Sequence, residues 1–238
     1  MTVTPRVSPQ DAWNAFIAGN ERFVQGRSQH PNQDVERRTE LVVTQTPNVA
    51  LFGCSDSRLA AEIIFDCGLG DLFIARNMGH VVAESITASM EYAVTALGSA
   101  LIVVLAHDSC GAVAAAIDQS GRNPAEVTTS IENTLAPIRP AVQQLWLQTH
   151  TDTPYADPAE LDANHIGRIH LANTVNSLLR NSRVISDAVD AGRLGVVGCQ
   201  YQLTEGRAVP ISAVGPLNIA LADSDSVPQF SNTHRHEG

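Results

Sequence analysis

Long apolar runs are missing from this chain. Nothing approaches the roughly 18 consecutive apolar residues of a membrane-crossing helix, which excludes a transmembrane segment at the level of sequence. Basic residues are also scarce: 15 Lys and Arg stand against 25 Asp and Glu, a formal charge of −10 (15 − 25). So acidic a chain, with no basic stripe, suits neither nucleic acid nor an anionic membrane surface as a partner. The opening stretch MTVTPRVSPQDAWNAF has no apolar core, so no secretory signal is expected. Cysteine is sparse and scattered, at positions 54, 67, 110 and 199 of 238 residues, in a chain too large to need disulfides. Sulfur used this way serves as metal ligand, nucleophile or core filler in a reducing compartment, and a cytoplasmic protein is expected. No repeat or linker divides the sequence. A single domain over 1–238 is therefore expected, with a helical arm over 1–30 and a mobile polar tail over 223–238.

What is present is an alternation of short apolar runs and helical patterns. Ser8, Pro9 and Asp11 form a helix start, with a hydroxyl cap, Pro at the first helical position and an acid three residues on. Trp13, Phe16, Ile17, Phe23 and Val24 then recur at helical spacing as far as Gly26, on a helix that packs either on its own domain or on a partner subunit. Strands are expected over 48–53, 71–75, 101–106 and 194–200, with an antiparallel edge strand over 208–212. Helices are expected over 60–67, 82–98, 112–117, 127–148 and 165–183, followed by a short one to Ala191. The unbroken Val/Ile/Leu runs read as parallel strands buried on both faces. The fold class is therefore α/β: three layers, with a central sheet of four parallel strands and one antiparallel edge strand, flanked by helices.

Two of the runs end in motifs rich in metal-ligating side chains. Cys54 follows VALF in GCSDSR, and His107 and Cys110 follow LIVVLA in AHDSCG. Open α/β sheets bind ligands just beyond the carboxyl ends of their strands. Two thiolates and an imidazole gathered there form the open three-ligand set of a catalytic zinc site, with the fourth position left for water. A single buried cysteine is more often a small core residue; the joint placement of three ligands at two strand ends is what favours a metal. Asp56 reads either as a helix cap or surface ion pair, or as a carboxylate gripped by the Arg58 fork and accepting a hydrogen bond from metal-bound water. Cys199 fits core filling. His80, His165 and His170 read as structural or surface residues.

CSDSR at 54–58, FIARN at 73–77, EYAV at 91–94 and HDSCG at 107–111 resemble the β-class carbonic anhydrases, over roughly residues 8–215. The resemblance implies zinc held by Cys54, His107 and Cys110, an Asp56–Arg58 dyad, and Asp56 as a fourth ligand in a closed state. It also implies a pocket at a dimer interface, built from Gln45, Phe73, Met78, Tyr92 and Gly111. Family members often carry Val or Ala where Met78 stands. Leu51 occupies the place of a Trp that one branch uses in a regulatory bicarbonate site, which argues against that site here. The implied reaction is reversible hydration of carbon dioxide to bicarbonate and a proton by zinc-bound hydroxide, in a homodimer or a dimer-of-dimers tetramer. Two alternatives stand beside it. One is hydrolysis of carbonyl sulfide or carbon disulfide on the same zinc site; the other is a non-catalytic, zinc-closed structural or sensory protein, with Asp56 as permanent fourth ligand.

Overall fold

The computed structural model describes residues 3–150, 153 and 155–222. Four strands, β1 (Val49–Cys54), β2 (Leu72–Asn77), β3 (Leu101–His107) and β4 (Gly195–Gln202), pair in parallel, and β5 (Arg207–Val214) runs antiparallel to β4. Their order across the sheet is β2-β1-β3-β4-β5. The expected four-plus-one sheet is thus present. Central β1 and β3 are buried along their whole lengths, which is why their sequences do not alternate. Leu51, Val103, Leu105 and Val197 face one helical layer, and Phe52, Val104 and Val196 face the other. Pro210 is tolerated in β5 because an edge strand need not donate every N–H.

Helix α1 (Pro9–Val24) starts as the sequence indicates, with Ser8 accepting from the Asp11 N–H. Trp13 and Phe16 are buried in the chain's own core, and Phe16 stacks on Phe65 with ring centroids 3.7 Å apart. Of the two packings open to this helix, its aromatics take the one on their own domain. Helix α2 (Val35–Glu40) has no apolar signature because it buries no residue.

The helix expected over 60–67 shrinks to the single turn α3 (Ala61–Ile64). Asp66 ends it: the backbone there turns left-handed (φ 46°), and its carboxylate accepts from the Gln29 and His30 N–H groups and from Arg22. The region 82–98 forms α4 (Glu84–Tyr92), which widens into a π turn over Ala93–Leu97 and stops at left-handed Gly98. Helix α5 (Gly111–Asp118) follows β3. The single helix expected over 127–148 is two, α6 (Thr129–Leu135) and α7 (Arg139–Trp146). Pro137 and Pro140 lie at the break: each lacks an N–H, which a first turn tolerates and a helix interior does not. Helices α8 (Ala163–Asn181) and α9 (Arg183–Asp190) complete the layers. The tail expected over 223–238 lies outside the described residues. Among the described residues no helix is long and apolar enough to cross a membrane.

Asp66 yields a stability test. Its side chain is inaccessible to solvent. Burial alone would raise its pKa, but the two backbone N–H groups and the Arg22 guanidinium outweigh that and hold the carboxyl below the ordinary carboxylate range. A depressed carboxylate contributes stability above its unfolded pKa and loses it as pH falls through the folded value. Asp66→Asn should therefore cost about 2–4 kcal/mol at neutral pH, with the deficit shrinking below about pH 4. Urea midpoints at pH 7 and pH 3.5 check this; equal midpoints at neutral pH would refute it.

Candidate metal centre

Cys54 ends β1 and His107 ends β3, and these strands are hydrogen-bonded neighbours with Gly53 opposite Leu105. Parallel pairing brings both side chains out at the same edge of the sheet. Cys110 follows across a tight turn in which Ser109 is left-handed (φ 51°) and Cys110 immediately precedes α5. The turn is anchored from two sides. The Ser109 N–H donates to Asn164 of α8 at 3.0 Å, and Asp108 accepts from the Leu203 N–H at 3.1 Å. As a result one nitrogen and two sulfurs from three buried residues lie within 4.8 Å of one another.

The protonation pattern suits a metal. His107 Nδ1 lies 2.8 Å from the Asp108 carbonyl, which can only accept, so Nδ1 carries the proton. Nε2 is buried and without a hydrogen-bond partner beside the sulfurs. Cys110 and the His107 ring beside it lower the Cys54 pKa to about 4 against the effect of burial. The same contact, with burial, raises Cys110, partly against the Val113 and Ala112 N–H groups at the start of α5. A bound metal would displace whatever protons the two sulfurs hold. Two sulfurs and one imidazole fit zinc with one position open.

Asp56 stands at the rim of this cluster, its Oδ2 3.8 Å from His107 Nε2. Its partner is Arg58, whose Nε and Nη2 donate to the two carboxylate oxygens at 2.8 and 2.7 Å. The Arg58 bonds hold the Asp56 carboxyl well below the usual carboxylate range. Arg76 is a residue to which sequence reading assigned no role. It donates to the Cys54 and Asp56 carbonyls and so fixes the course of the CSD segment. Its only signal was its place in FIARN.

The pocket residues named from sequence separate into two places. Gly111 begins α5 directly after Cys110, and a Cβ there would meet nothing within 4 Å. Met78 opens a short 3-10 turn over Met78–His80. Gln45 and Tyr92 line a surface hollow of about 590 Å³ with Leu41, Val42 and Val43, and no metal-donor residue borders it. Phe73 lies beside Tyr92, ring centroids 6.0 Å apart. Cys199 is fully buried, and Cys67 is half-buried with its thiol pushed up to about 12 by burial and neighbouring acids.

Fold and donor set together define an open α/β protein with a Cys-His-Cys cluster that could hold a metal ion at the carboxyl edge of its sheet. A family model described as "Carbonic anhydrase" matches residues 49–208. Carbonic anhydrase 2 of Mycobacterium tuberculosis (strain CDC 1551 / Oshkosh) is 43% identical over 213 residues, covering 89% of this chain and 97% of the relative. The carbonic anhydrase of Mycolicibacterium smegmatis is 40% identical over 215 residues, covering 90% and 98%. Among solved structures, the Aspergillus fumigatus β-carbonic anhydrase CafA aligns with a TM-score of 0.64 at 26% identity, over 84% of this chain and 90% of that one. The Coccomyxa β-carbonic anhydrase, solved with acetazolamide, shares the fold at a TM-score of 0.62 and 20% identity, over 86% of each chain. The chain belongs to the β-carbonic anhydrase family.

Proposed function

We propose that this protein is a zinc enzyme catalysing the reversible hydration of carbon dioxide to bicarbonate and a proton. The observation that carries the reading is the three-donor cluster with an unpartnered His107 Nε2 and the Asp56–Arg58 pair at its rim. Zinc, when bound, supplies a Lewis acid that acidifies a water in the remaining position. Cys54, His107 and Cys110 would hold it. Asp56, kept ionised by Arg58, can only accept, so it selects and orients an O–H donor beside the metal. Met78, with Phe73 and Tyr92 supplied by a second copy of the chain, would give an apolar wall suited to carbon dioxide, and that copy's Gln45 would donate to a substrate oxygen. Asp56 is already committed to Arg58, which weighs against a permanently closed, non-catalytic centre. The names of the relatives favour carbon dioxide over its sulfur analogues. Stopped-flow hydration on protein of measured zinc content tests the reading, and a zinc-loaded protein no faster than buffer would end it.

The pocket needs a second copy of the chain. Val42, Val43 and Tyr92, around the Gln45 hollow, are 80%, 90% and 51% exposed, and among the described residues β2 is an edge strand of the sheet. Apolar surface next to a bare sheet edge is normally covered. The Sordaria macrospora β-carbonic anhydrases are described as tetrameric. A homodimer or a dimer of dimers is proposed here, in a reducing cytoplasm that suits four free cysteines. Sedimentation should show at least a dimer, and Val43→Glu should shift it toward monomer with a parallel loss of activity. A fully active monomer would overturn the shared pocket.

A further inference from the structure

We propose that Asn164 of α8 is a positioning residue for the metal centre: its amide oxygen takes the Ser109 N–H and so holds the left-handed turn that delivers Cys110 to the donor set. The inference rests on the zinc reading above and concerns how the protein places its third donor.

The three donors are not held alike. Cys54 is paired with Asn77 of β2 and His107 with Tyr201 of β4, so the sheet ladder fixes the backbone of both. Cys110 belongs to no strand, and only Asp108 and Ser109 separate it from His107. Asp108 is tied to the end of β4. Its N–H donates to the Tyr201 carbonyl at 3.1 Å, and its carboxylate accepts from the Leu203 N–H at 3.1 and 3.3 Å. Ser109 is the remaining joint. It is left-handed at φ 51° although it carries a Cβ, a strained conformation that persists only where its surroundings impose it. Relaxation at Ser109 would redirect the chain entering Cys110, and the sulfur with it.

Asn164 supplies the bond to that joint, with Oδ1 3.0 Å from the Ser109 nitrogen. An N–H only donates, so the amide must present its oxygen. Its own helix does not need this side chain. The cap of α8 is Asp162, whose carboxylate accepts from the Asn164 N–H at 2.8 Å, and among the described residues the Asn164 amide has no other partner. The helix that carries it is firmly seated. Ile166 and Ile169 are buried in the core that includes Cys54 and Cys110, and Leu171 and Val175 in the core on the sheet's other face. The Ser109 carbonyl accepts from Arg58 Nη2 at 3.4 Å. Ser109 is thus gripped at both its polar backbone groups, from α8 on one side and from the Asp56–Arg58 pair on the other. Neighbours that orient metal ligands typically contribute 10–100-fold in metal affinity. Asn164 acts on the residue next to a ligand, so the low end of that range is expected.

The test uses the full chain and two variants of this exposed residue. Asn164→Ala removes the acceptor, whereas Asn164→Asp keeps an acceptor oxygen at the same reach. From the zinc-loaded protein, Asn164→Ala should release zinc to a chelator about tenfold faster, and Asn164→Asp at the unaltered rate. Hydrogen exchange on the zinc-free chains gives a readout that owes nothing to the metal. The Ser109 N–H should be protected in the unaltered chain and in Asn164→Asp, and exposed in Asn164→Ala while the β3 amides stay protected. A folded Ala variant with unchanged release, or an Asp variant as impaired as Ala, would overturn the proposal. Loss of protection spreading through β3 in the Ala variant would mark a merely structural residue and overturn it too. Should Ala fail to fold, the unaltered zinc-free chain decides: a protected Ser109 N–H supports the clamp, and a freely exchanging one refutes it. An unaltered protein that takes up no zinc would remove the metal reading and this proposal together, whereas normal zinc uptake with an indifferent Ala variant removes only this one.

Discussion

Replacing Cys110 by serine should abolish both stoichiometric zinc and carbon dioxide hydration while leaving the chain folded. Three donors leave no spare, and a serine hydroxyl is neither deprotonated nor soft enough to stand in for a thiolate. The loss should exceed the 10–100-fold typical of residues that merely orient ligands. Metal analysis after dialysis, with the hydration rate measured on the same sample, gives the answer. Full zinc occupancy and full activity in the variant would defeat the assignment of this centre.

The second large effect concerns Arg58 and pH. Activity should rise from about pH 6 to about pH 9. Two thiolates and a neutral imidazole cancel the charge of Zn²⁺, so a water in the open position is acidified less than at a three-imidazole site, and its pKa should lie above ~7, toward ~9. Asp56 is not the group titrating in that window. Arg58 holds its carboxyl far below the usual range, so it stays ionised throughout. What Asp56 can do is move. Arg58→Ala removes the 2.7 and 2.8 Å fork and leaves an ionised carboxylate at the edge of the metal position. Activity near neutrality should fall about 10–100-fold as Asp56 takes the open coordination site. Arg58→Lys should not restore it, because an ammonium cannot form the fork. Zinc absorption spectroscopy at pH 6 and 8.5 should find carboxylate in place of water in Arg58→Ala. Undiminished activity in that variant, or a flat pH–rate profile in the unaltered protein, would contradict these expectations.

What could be read from the sequence followed the strength of the physical signal. β1 and β3 were legible because strands covered on both faces must be apolar throughout, and the ligand motifs were legible because they begin where those runs end. The Ser8-Pro9 helix start was equally plain. Helix α2 was not, since a helix that buries nothing carries no period. The shortening of α3 was hidden because it depends on Asp66 finding Gln29, His30 and Arg22, far away in sequence. The same holds at the site. Cys54, His107, Cys110, Asp56 and Arg58 lie in two short motifs, whereas Arg76 acts through the Cys54 and Asp56 carbonyls, which any residue provides. His170, read as a structural or surface histidine, reaches Gly79 across 91 positions.

The pairing of β1 with β3 bears on how the protein acquires its metal. Gly53 lies opposite Leu105 in the ladder, and β1 and β3 are buried along their lengths. Binding therefore closes no loop that folding has not already closed. Small zinc modules spend the metal's affinity on folding; here a five-stranded core has done that work beforehand. A metal held by Cys54, His107 and Cys110 would therefore join segments that the sheet already holds side by side.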